Sequence, residues 1–155
     1  MSVSVREQDF NISAEMNALT HGNTEIGAVA TFVGKVRGEA HGTSLQSMTL
    51  EHYPGMTEAE LAAIEVEAVA RFKLSASRII HRIGALRPGD NIVFVMTCSP
   101  HRNDAFAACE FLMDYLKTRA PFWKKETGLS GEGRWVDARG CDDMAASRWN
   151  KPPGG

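Results

Sequence analysis

Two runs of mostly β-branched and apolar residues flank the turn sequence RPGD at residues 87–90. The first run, ASRIIHRIGAL, ends at Leu86, and the second, NIVFVMTCS, begins at Asn91. Proline followed by glycine and aspartate favours a tight turn, because proline fixes one backbone angle and glycine tolerates a positive φ. The sequence therefore predicts an antiparallel hairpin and argues against a doubly wound sheet of parallel strands.

Two longer segments carry the spacing of amphipathic helices. Thr57 and Glu60 have the spacing of a capping box, and apolar residues follow at helical intervals to about residue 72. A second helix is predicted from Asn103, which suits the N-cap, and Pro121 must end it because proline clashes inside a helix. Lys117 is then expected in the last turn of that helix.

Shorter segments complete the expected order of elements. Strands are predicted in IGAVATFVGKVRG, from Ile26, and in SLQSMTLEHY, from Ser44, with GEAHGTS between them as a loop. The remaining elements are a short helix over 13–19, two short strands in FWKKE and GRWVDAR, and a terminal helix in CDDMAASRW. Hairpins interrupted by two long helices are typical of the α+β class.

Length and composition fit a single globular domain, expected over residues 1–149 of the 155, with a flexible tail at 150–155. The formal charge of −2 gives no general attraction to nucleic acid or to an anionic membrane. Cys98, Cys109 and Cys141 form no paired motif, which favours reduced thiols and a cytoplasmic location. No apolar run approaches the length of a membrane span. Any anion must therefore be bound by a local cluster of cations.

Two such clusters lie at element ends. In SPHR, residues 99–102, a helix N-terminus would place free N–H groups beside His101 and Arg102; the alternative is a solvated arginine and a histidine that only packs. Lys35 and Arg37 are expected on one side of a strand end, where charge also serves to discourage edge pairing.

The third cluster is LKTRAPFWKKE, residues 116–126. Lys117 and Lys124 could converge from a helix end and a following strand, with Phe122 and Trp123 as an apolar wall that can lower the pKa of an ammonium. A lysine at a helix C-terminus is also favourable by itself, so a structural role is the alternative. A metal site is not expected, because the C-x-x-H spacing of Cys98 and His101 has no second pair.

Six segments of the chain are similar, in sequence, order and spacing, to a known family. They are GAVATFVGKVRG, LEHYPGMTE, IIHRIGALRPGD, SPHR, MDYLKTRAPFWKKE and RWVDAR. Through them the chain resembles the MoaE family, the large, catalytic subunits of molybdopterin synthase, over roughly residues 24–149. The segment APFWK is the most specific of these matches.

The resemblance implies a sulfurtransferase of molybdenum cofactor biosynthesis. Such enzymes convert cyclic pyranopterin monophosphate into molybdopterin, taking two sulfurs from thiocarboxylated C-terminal glycines of a small ubiquitin-like subunit. The family forms a heterotetramer around a homodimer of large subunits. The implied fold is an α/β hammerhead with additional antiparallel β-strands, within the α+β class. The scheme requires no metal or organic cofactor, no nucleic acid and no membrane.

The resemblance also assigns roles to individual residues. Lys117 and Lys124 match the family's catalytic lysines. The residues that match positions holding the pterin and its phosphate are Arg37, His101 and Arg102. Those that line the same site are Lys35, Val36, Lys125 and Glu126, and two further pocket positions are Phe32 and Arg139.

Two features depart from the family pattern: the GEAHGTS loop after Arg37 is variable, and a terminal Gly-Gly belongs to the small subunit. A second hypothesis for the chain is a non-catalytic module that binds a ubiquitin-like tail, with the lysines attracting only its carboxylate. Binding of RNA is disfavoured, because the cations form one compact cluster rather than a stripe.

Overall fold

The structure is a computed structural model that describes residues 2–40, 42–129, 131, 133–136, 144 and 146–150. Within these ranges the chain forms three α-helices, nine β-strands and a short 3-10 turn, Arg148–Asn150. The strands make two sheets, so the predicted α+β class is confirmed. Arg139, Cys141 and the tail at 151–155 lie outside the described residues.

The first sheet has the strand order β1-β5-β7-β2. Strand β1 (Val3–Arg6) runs parallel to β5 (Ala76–Arg82), whereas β7 (Asn91–Ser99) is antiparallel to both β5 and β2 (Ala28–Lys35). The antiparallel pairing predicted for the two runs that flank RPGD is therefore confirmed as the β5–β7 pair, although this pairing ends at His81 and Val93 rather than at the turn itself. Strand β2 lies at one edge of this sheet.

The second sheet is built on β4 (Thr43–His52), which pairs with β8 (Phe122–Gly128). Strand β9 (Gly133–Val136) continues the sheet beyond β8, and β3 (Glu39–Ala40) pairs with the start of β4. The segment expected as a loop, GEAHGTS, thus contributes to a short hairpin. A backbone that turns back on itself at Gly42, where φ is +76°, allows this pairing.

The run ASRIIHRIGAL does not form one strand, contrary to the prediction. It splits after Arg82, and β6 (Gly84–Leu86) leaves the first sheet to pair with β4 in the second. The cause is Gly84, whose φ of +83° is a left-handed conformation that a β-branched residue would adopt only with strain. This crossing links the two sheets covalently beside the end of β5.

The helices begin where local hydrogen bonds allow. In α1 (Ile12–Thr20), the Asn11 side chain caps the N-terminus by accepting from the Ala14 N–H at 2.9 Å. Helix α2 (Met56–Phe72) ends as predicted, but its N-cap is Gly55, whose N–H donates to the Glu58 carboxylate at 2.6 Å. The expected capping box of Thr57 and Glu60 is therefore wrong, because the Thr57 side chain turns inward.

Helix α3 (Arg102–Arg119) begins one residue before the predicted cap and ends ahead of Pro121 as expected. Its N-cap is His101, which has extended backbone and makes no capping bond with its side chain. Among the described residues, no helix has both the length and the apolar content needed to cross a membrane.

The main core lies between the first sheet and helices α2 and α3. It contains buried side chains from both helices and from β5 and β7, including Leu61, Ile64, Ile79, Val95 and Leu112. A second cluster around Phe94 fills the opposite face of the same sheet, and Val36, Met48, Leu50 and Leu86 form a third under the second sheet. Trp149 of the 3-10 turn packs edge-on against Phe72 and Phe111.

Candidate active site

The turn between α3 and β8 is fixed by a buried hydroxyl. Thr57, fully buried on α2, donates from its hydroxyl to the Pro121 carbonyl oxygen at 2.9 Å. The same hydroxyl oxygen accepts from the Tyr53 N–H at 3.0 Å. Both partners are backbone groups, so the connection from β4 to α2 is tied to the proline that separates Lys117 from Lys124. The two lysines are thereby held on either side of a rigid turn.

An aromatic stack joins β5 to the start of β8, with a buried histidine ring on one side and a partly buried phenylalanine ring on the other. The ring of Phe122 lies parallel to the imidazole of His81, with 3.7 Å between the ring centroids and 17° between the planes. His81 is only 4% exposed. Burial, together with the positive charges of Lys117 and His52, lowers the pKa of His81 to about 3, although its hydrogen bond to the Arg82 carbonyl acts in the opposite direction. Lys117 therefore lies within electrostatic reach of this stack.

The register of the second sheet places Lys124 on the same side as Phe122. Phe122, Lys124 and Glu126 alternate along β8 and so share one face. Glu126 is buried, with its carboxylate 3.9 Å from the Lys124 ammonium and 3.8 Å from the Arg134 guanidinium of β9. Lys117 acts electrostatically on His81, which stacks on Phe122, and Lys124 lies two residues beyond Phe122 on β8. The structure thus brings the two predicted catalytic lysines to one region.

Lys125 faces the other side of β8. Its ammonium lies 5.9 Å from the centre of the Trp135 ring, which stands opposite it on β9. Glu126 and Lys124 therefore share one face of β8, whereas the Lys125 side chain lies on the opposite face.

The three predicted site residues around the end of β2 have different surroundings. Val36 is a core side chain, 3% exposed, so its side chain does not line a site within this chain. Lys35 donates to the Asn91 side chain at 2.9 Å. Arg37 is exposed and lines an open cavity of about 630 Å³ formed with the β3–β4 hairpin. As predicted, Lys35 and Arg37 lie on the side of the backbone opposite to Val36: the two cations are exposed and the valine is buried.

The predicted anion-binding site, SPHR, lies at the N-terminus of α3, the end opposite Lys117. His101 and Arg102 are both exposed at the helix N-terminus, where the first N–H groups of the helix are directed outward. At 1.5 Å per residue, Arg102 and Lys117 are separated by roughly 22 Å along the axis. A single chain therefore does not bring His101 and Arg102 to the lysines. Phe32, 41% exposed, lies on the edge strand β2.

Three residues of the region were missed from the sequence. His81 stands inside an apolar strand run, where a lone histidine is the only signal, and Thr57 was taken for a capping residue. Arg119 pairs with Glu60 at 2.7 Å and with Glu67 at 2.6 Å, which joins the end of α3 to α2. Within LKTRAPFWKKE, Arg119 therefore has a structural role, because it pairs with two carboxylates of α2. Lys117 and Lys124 are the cations of this segment that lie near the candidate site.

Together, the fold and the site define an α+β protein in which a helix end and a sheet strand present lysines near the stacked rings of His81 and Phe122, an arrangement suited to an anionic substrate. The model of the MoaE protein family matches residues 5–119. The chain belongs to the MoaE family.

Curated relatives extend the match over nearly the whole chain. The molybdopterin synthase catalytic subunit of Ralstonia nicotianae is 53% identical over 148 residues, covering 96% of this chain and 84% of that protein. The protein of the same name from Escherichia coli K12 is 53% identical over 147 residues, covering 95% and 97%.

Solved structures share the fold. The molybdopterin biosynthesis MoaE protein from Burkholderia ambifaria is 51% identical, with a TM-score of 0.83 over 97% of this chain and 99% of that one. A molybdopterin synthase from Staphylococcus aureus is 29% identical, with a TM-score of 0.81 over 88% and 97%. A complex of subunits 1 and 2 of the molybdopterin-converting factor from Helicobacter pylori, 17% identical with a TM-score of 0.71 over 90% and 92%, shares the fold alone.

Proposed function

We propose that this chain is the catalytic subunit of a molybdopterin synthase. In this reaction, sulfur passes from the C-terminal thiocarboxylate of a small ubiquitin-like subunit to cyclic pyranopterin monophosphate and forms the dithiolene of molybdopterin. The observation that carries the proposal is the placement of Lys117 and Lys124 around the Thr57-anchored turn, in a chain of the MoaE family. We also propose a cytoplasmic location, consistent with cysteines that form no paired motif.

The chemistry explains why two ammonium groups are needed. The thiocarboxylate sulfur attacks a carbon of the pterin side chain to form a thioester, and the negative charge passes to the departing oxygen of the opened cyclic phosphate. Water then attacks the acyl carbon of the thioester, so that negative charge develops on the acyl oxygen before the acyl C–S bond breaks and leaves the sulfur on the pterin and a carboxylate on the small subunit. Positioned cations stabilise such charge, and an ammonium can also donate a proton to the leaving group. Glu126, between Lys124 and Arg134, holds Lys124 in place at this face.

The distance along α3 supports a homodimer as the working unit. Because His101 and Arg102 lie roughly 22 Å from Lys117 within one chain, they can seat the substrate phosphate only if a second copy contributes them. The assembly proposed is therefore a homodimer of this chain within a heterotetramer. The other residues proposed for the substrate site are Lys35, Arg37, Lys125, Phe32 and Arg139.

The proposal is tested by mixing the chain with a thiocarboxylated small subunit and cyclic pyranopterin monophosphate and measuring molybdopterin. Lys124→Ala and Lys117→Ala should each lower turnover by at least about 100-fold, the usual effect of a lost acid–base or oxyanion group. Binding of the small subunit should remain nearly unchanged. The control is Arg87→Ala in the exposed RPGD turn, which should turn over like the wild type.

Full turnover by either lysine variant would refute the catalytic assignment. If the wild-type chain binds the small subunit but forms no molybdopterin, the hypothesis of a non-catalytic tail-binding module is favoured instead.

A further inference from the structure

Three hydrogen-bonded side chains connect the loop after β1 with the start of β7 and the end of β2. The Lys35 ammonium donates to the Asn91 side-chain oxygen at 2.9 Å, and the Asn91 amide nitrogen donates to the Asp9 carboxylate at 3.1 Å. An ammonium only donates and a carboxylate only accepts, so these two partners fix which end of the Asn91 amide faces which residue. Asn91 therefore links a cation to an anion through a neutral group.

The Asp9 end of this link is held in place and charged. The Asp9 carboxylate that accepts from Asn91 also accepts from the Phe10 N–H at 2.8 Å. Burial raises the pKa of Asp9, but these two hydrogen bonds and the positive charges of Arg82 and Lys35 lower it overall. Asp9 is therefore ionised at neutral pH and keeps the Asn91 amide in one orientation.

The backbone on which Lys35 and Asn91 stand is fixed as well. The two residues are partners across β2 and β7, at the point where the register of this pair shifts. Directly after Lys35, the Val36 N–H donates to the Asp90 carbonyl at 2.9 Å, and the Asn91 carbonyl accepts from the Arg82 guanidinium at 3.0 Å. An irregularity in a strand pair re-aims the side chain beside it. The freedom that remains to Lys35 is that of its side chain, which the Asn91 amide restricts.

Stability alone gives little reason for this arrangement. Lys35 is exposed, and ordering a long, exposed side chain costs entropy that offsets most of the gain from one hydrogen bond. Binding gives a better reason, because a lysine that is ordered before an anion arrives does not lose that freedom on binding. The bond to Asn91 uses one of the three N–H groups of the ammonium and leaves its charge uncancelled by a direct carboxylate contact.

We infer that Asn91, oriented by Asp9, is a positioning residue that holds the Lys35 ammonium for the phosphate of the substrate. This rests on the proposed function, which places Lys35 in the substrate site with Arg37, and Arg37 lines the open cavity of about 630 Å³. The phosphate is negatively charged before and during the reaction, so Lys35 should stabilise the ground state and the transition state about equally. Loss of its positioning should therefore raise KM rather than lower kcat.

The first test removes the amide. Asn91→Ala should raise KM for the pterin by about three- to tenfold, the range expected when a flexible side chain has to be ordered on binding. At saturating pterin, kcat should stay within about twofold of the wild type. The matched control is Asn23→Ala, which also removes an exposed amide, one that accepts from the Glu25 N–H at 3.1 Å. That variant should keep both constants.

A double-mutant cycle separates an action through Lys35 from a general disturbance of the fold. Lys35→Met removes the ammonium and should itself raise KM. Adding Asn91→Ala to Lys35→Met should then raise KM no further, whereas a purely structural role of Asn91 would multiply KM by the same factor in both backgrounds. A wild-type KM in Asn91→Ala, or full additivity of the two changes, would overturn the inference.

Two measurements need no turnover and so separate this inference from the proposed function. By calorimetry, the Kd of the chain for cyclic pyranopterin monophosphate should rise in Asn91→Ala by the same factor as KM. By NMR of the folded chain, the side-chain amide resonances of Asn91 should shift in Lys35→Met and in Asp9→Ala and stay in place in Asn23→Ala.

Amide resonances that ignore either substitution, or a Kd that Asn91→Ala leaves unchanged, would contradict the inference even in an active enzyme. A wild-type chain that binds the pterin but forms no molybdopterin would refute the proposed function and leave the positioning role of Asn91 to be decided by the change in Kd. A wild-type chain that does not bind the pterin would refute both.

Discussion

One hydroxyl joins two parts of the chain that are 64 residues apart. Thr57 both donates to the Pro121 carbonyl and accepts from the Tyr53 N–H, so it serves two backbone groups at once. Because Lys117 and Lys124 flank Pro121, the accuracy of the site depends on this side chain.

Replacing Thr57 by valine keeps the shape and removes both hydrogen bonds. We expect Thr57→Val to lower the free energy of unfolding by about 2–3 kcal/mol, because two backbone groups each lose a hydrogen-bond partner at about 1–1.5 kcal/mol, and to lower kcat as well. Urea unfolding measures the first effect. Thr57→Ser is the matched control: it keeps the hydroxyl and loses one methyl group, at about 1 kcal/mol. A valine variant as stable as the serine variant would show that the hydroxyl is dispensable.

Residues with an unusual local context were the ones that sequence reasoning located best. Lys117 and Lys124 stand around a proline and two aromatics, and the structure brings them to one region. Val36 and Lys125 could not be placed from residue type alone, since strand register decides which side chain faces the core and which the site. His81 was missed because its stacking partner, Phe122, lies on another element, which no local pattern reveals.

At the scale of elements, the start of β2 lies against the β7–α3 junction without room for a side chain. A Cβ at Gly27 would lie 2.2 Å from the Pro100 carbonyl oxygen, and the Gly27 N–H donates to the Ser99 carbonyl at 3.0 Å. This close approach holds the edge strand beside the residues that lead into His101. Glycine is required here by distance rather than by backbone angle.

Gly27→Ala should therefore lower the free energy of unfolding by about 1–3 kcal/mol, because backbone must move to admit the methyl group. Gly38→Ala is the control, since its Cβ would meet only the Pro88 side chain, at 4.0 Å. That variant should unfold within about 0.5 kcal/mol of the wild type. Thermal or urea unfolding compares the two variants. Equal stability of both would show that the close approach of Gly27 to Pro100 does not require a glycine.

Element boundaries were predictable where one residue decides them. Helix α3 ends ahead of Pro121, and a turn forms at RPGD before β7, with β5 and β7 antiparallel, so these predictions were confirmed. The division of ASRIIHRIGAL between two sheets was not predictable, because the second half pairs with β4, which lies far away in sequence. Gly84 was the local signal, but a glycine in a strand does not reveal which partner the chain turns toward.

At the scale of the whole molecule, His81 should make stability depend on pH. Its pKa is lowered from 6.5 to about 3 in the folded state, so below about pH 6.5 the unfolded chain takes up a proton that the folded chain refuses. The stability is complete above that pH and is lost as the pH falls.

Between about pH 7 and about pH 5, this residue alone should lower the free energy of unfolding by about 2 kcal/mol. Other groups titrate in the same range, so the measurement compares urea unfolding of the wild type with that of His81→Gln at both pH values. The loss on acidification should be smaller in the variant by about that amount. An identical loss in both chains would show that His81 takes up a proton without unfolding.

The pairing of β1 with β5 has a consequence for the order in which the chain can fold. Val3 lies opposite Ile79, and Ala28 lies opposite Ser99. Both outer strands of the first sheet thus pair with strands synthesised some 70 residues later, and such distant contacts form slowly because a long loop must close first. As the chain leaves the ribosome, α2 can form early against its own neighbours, whereas the apolar strand β2 has no sheet to join until β7 has emerged. During that interval β2 is the segment for which protection by a chaperone would matter most.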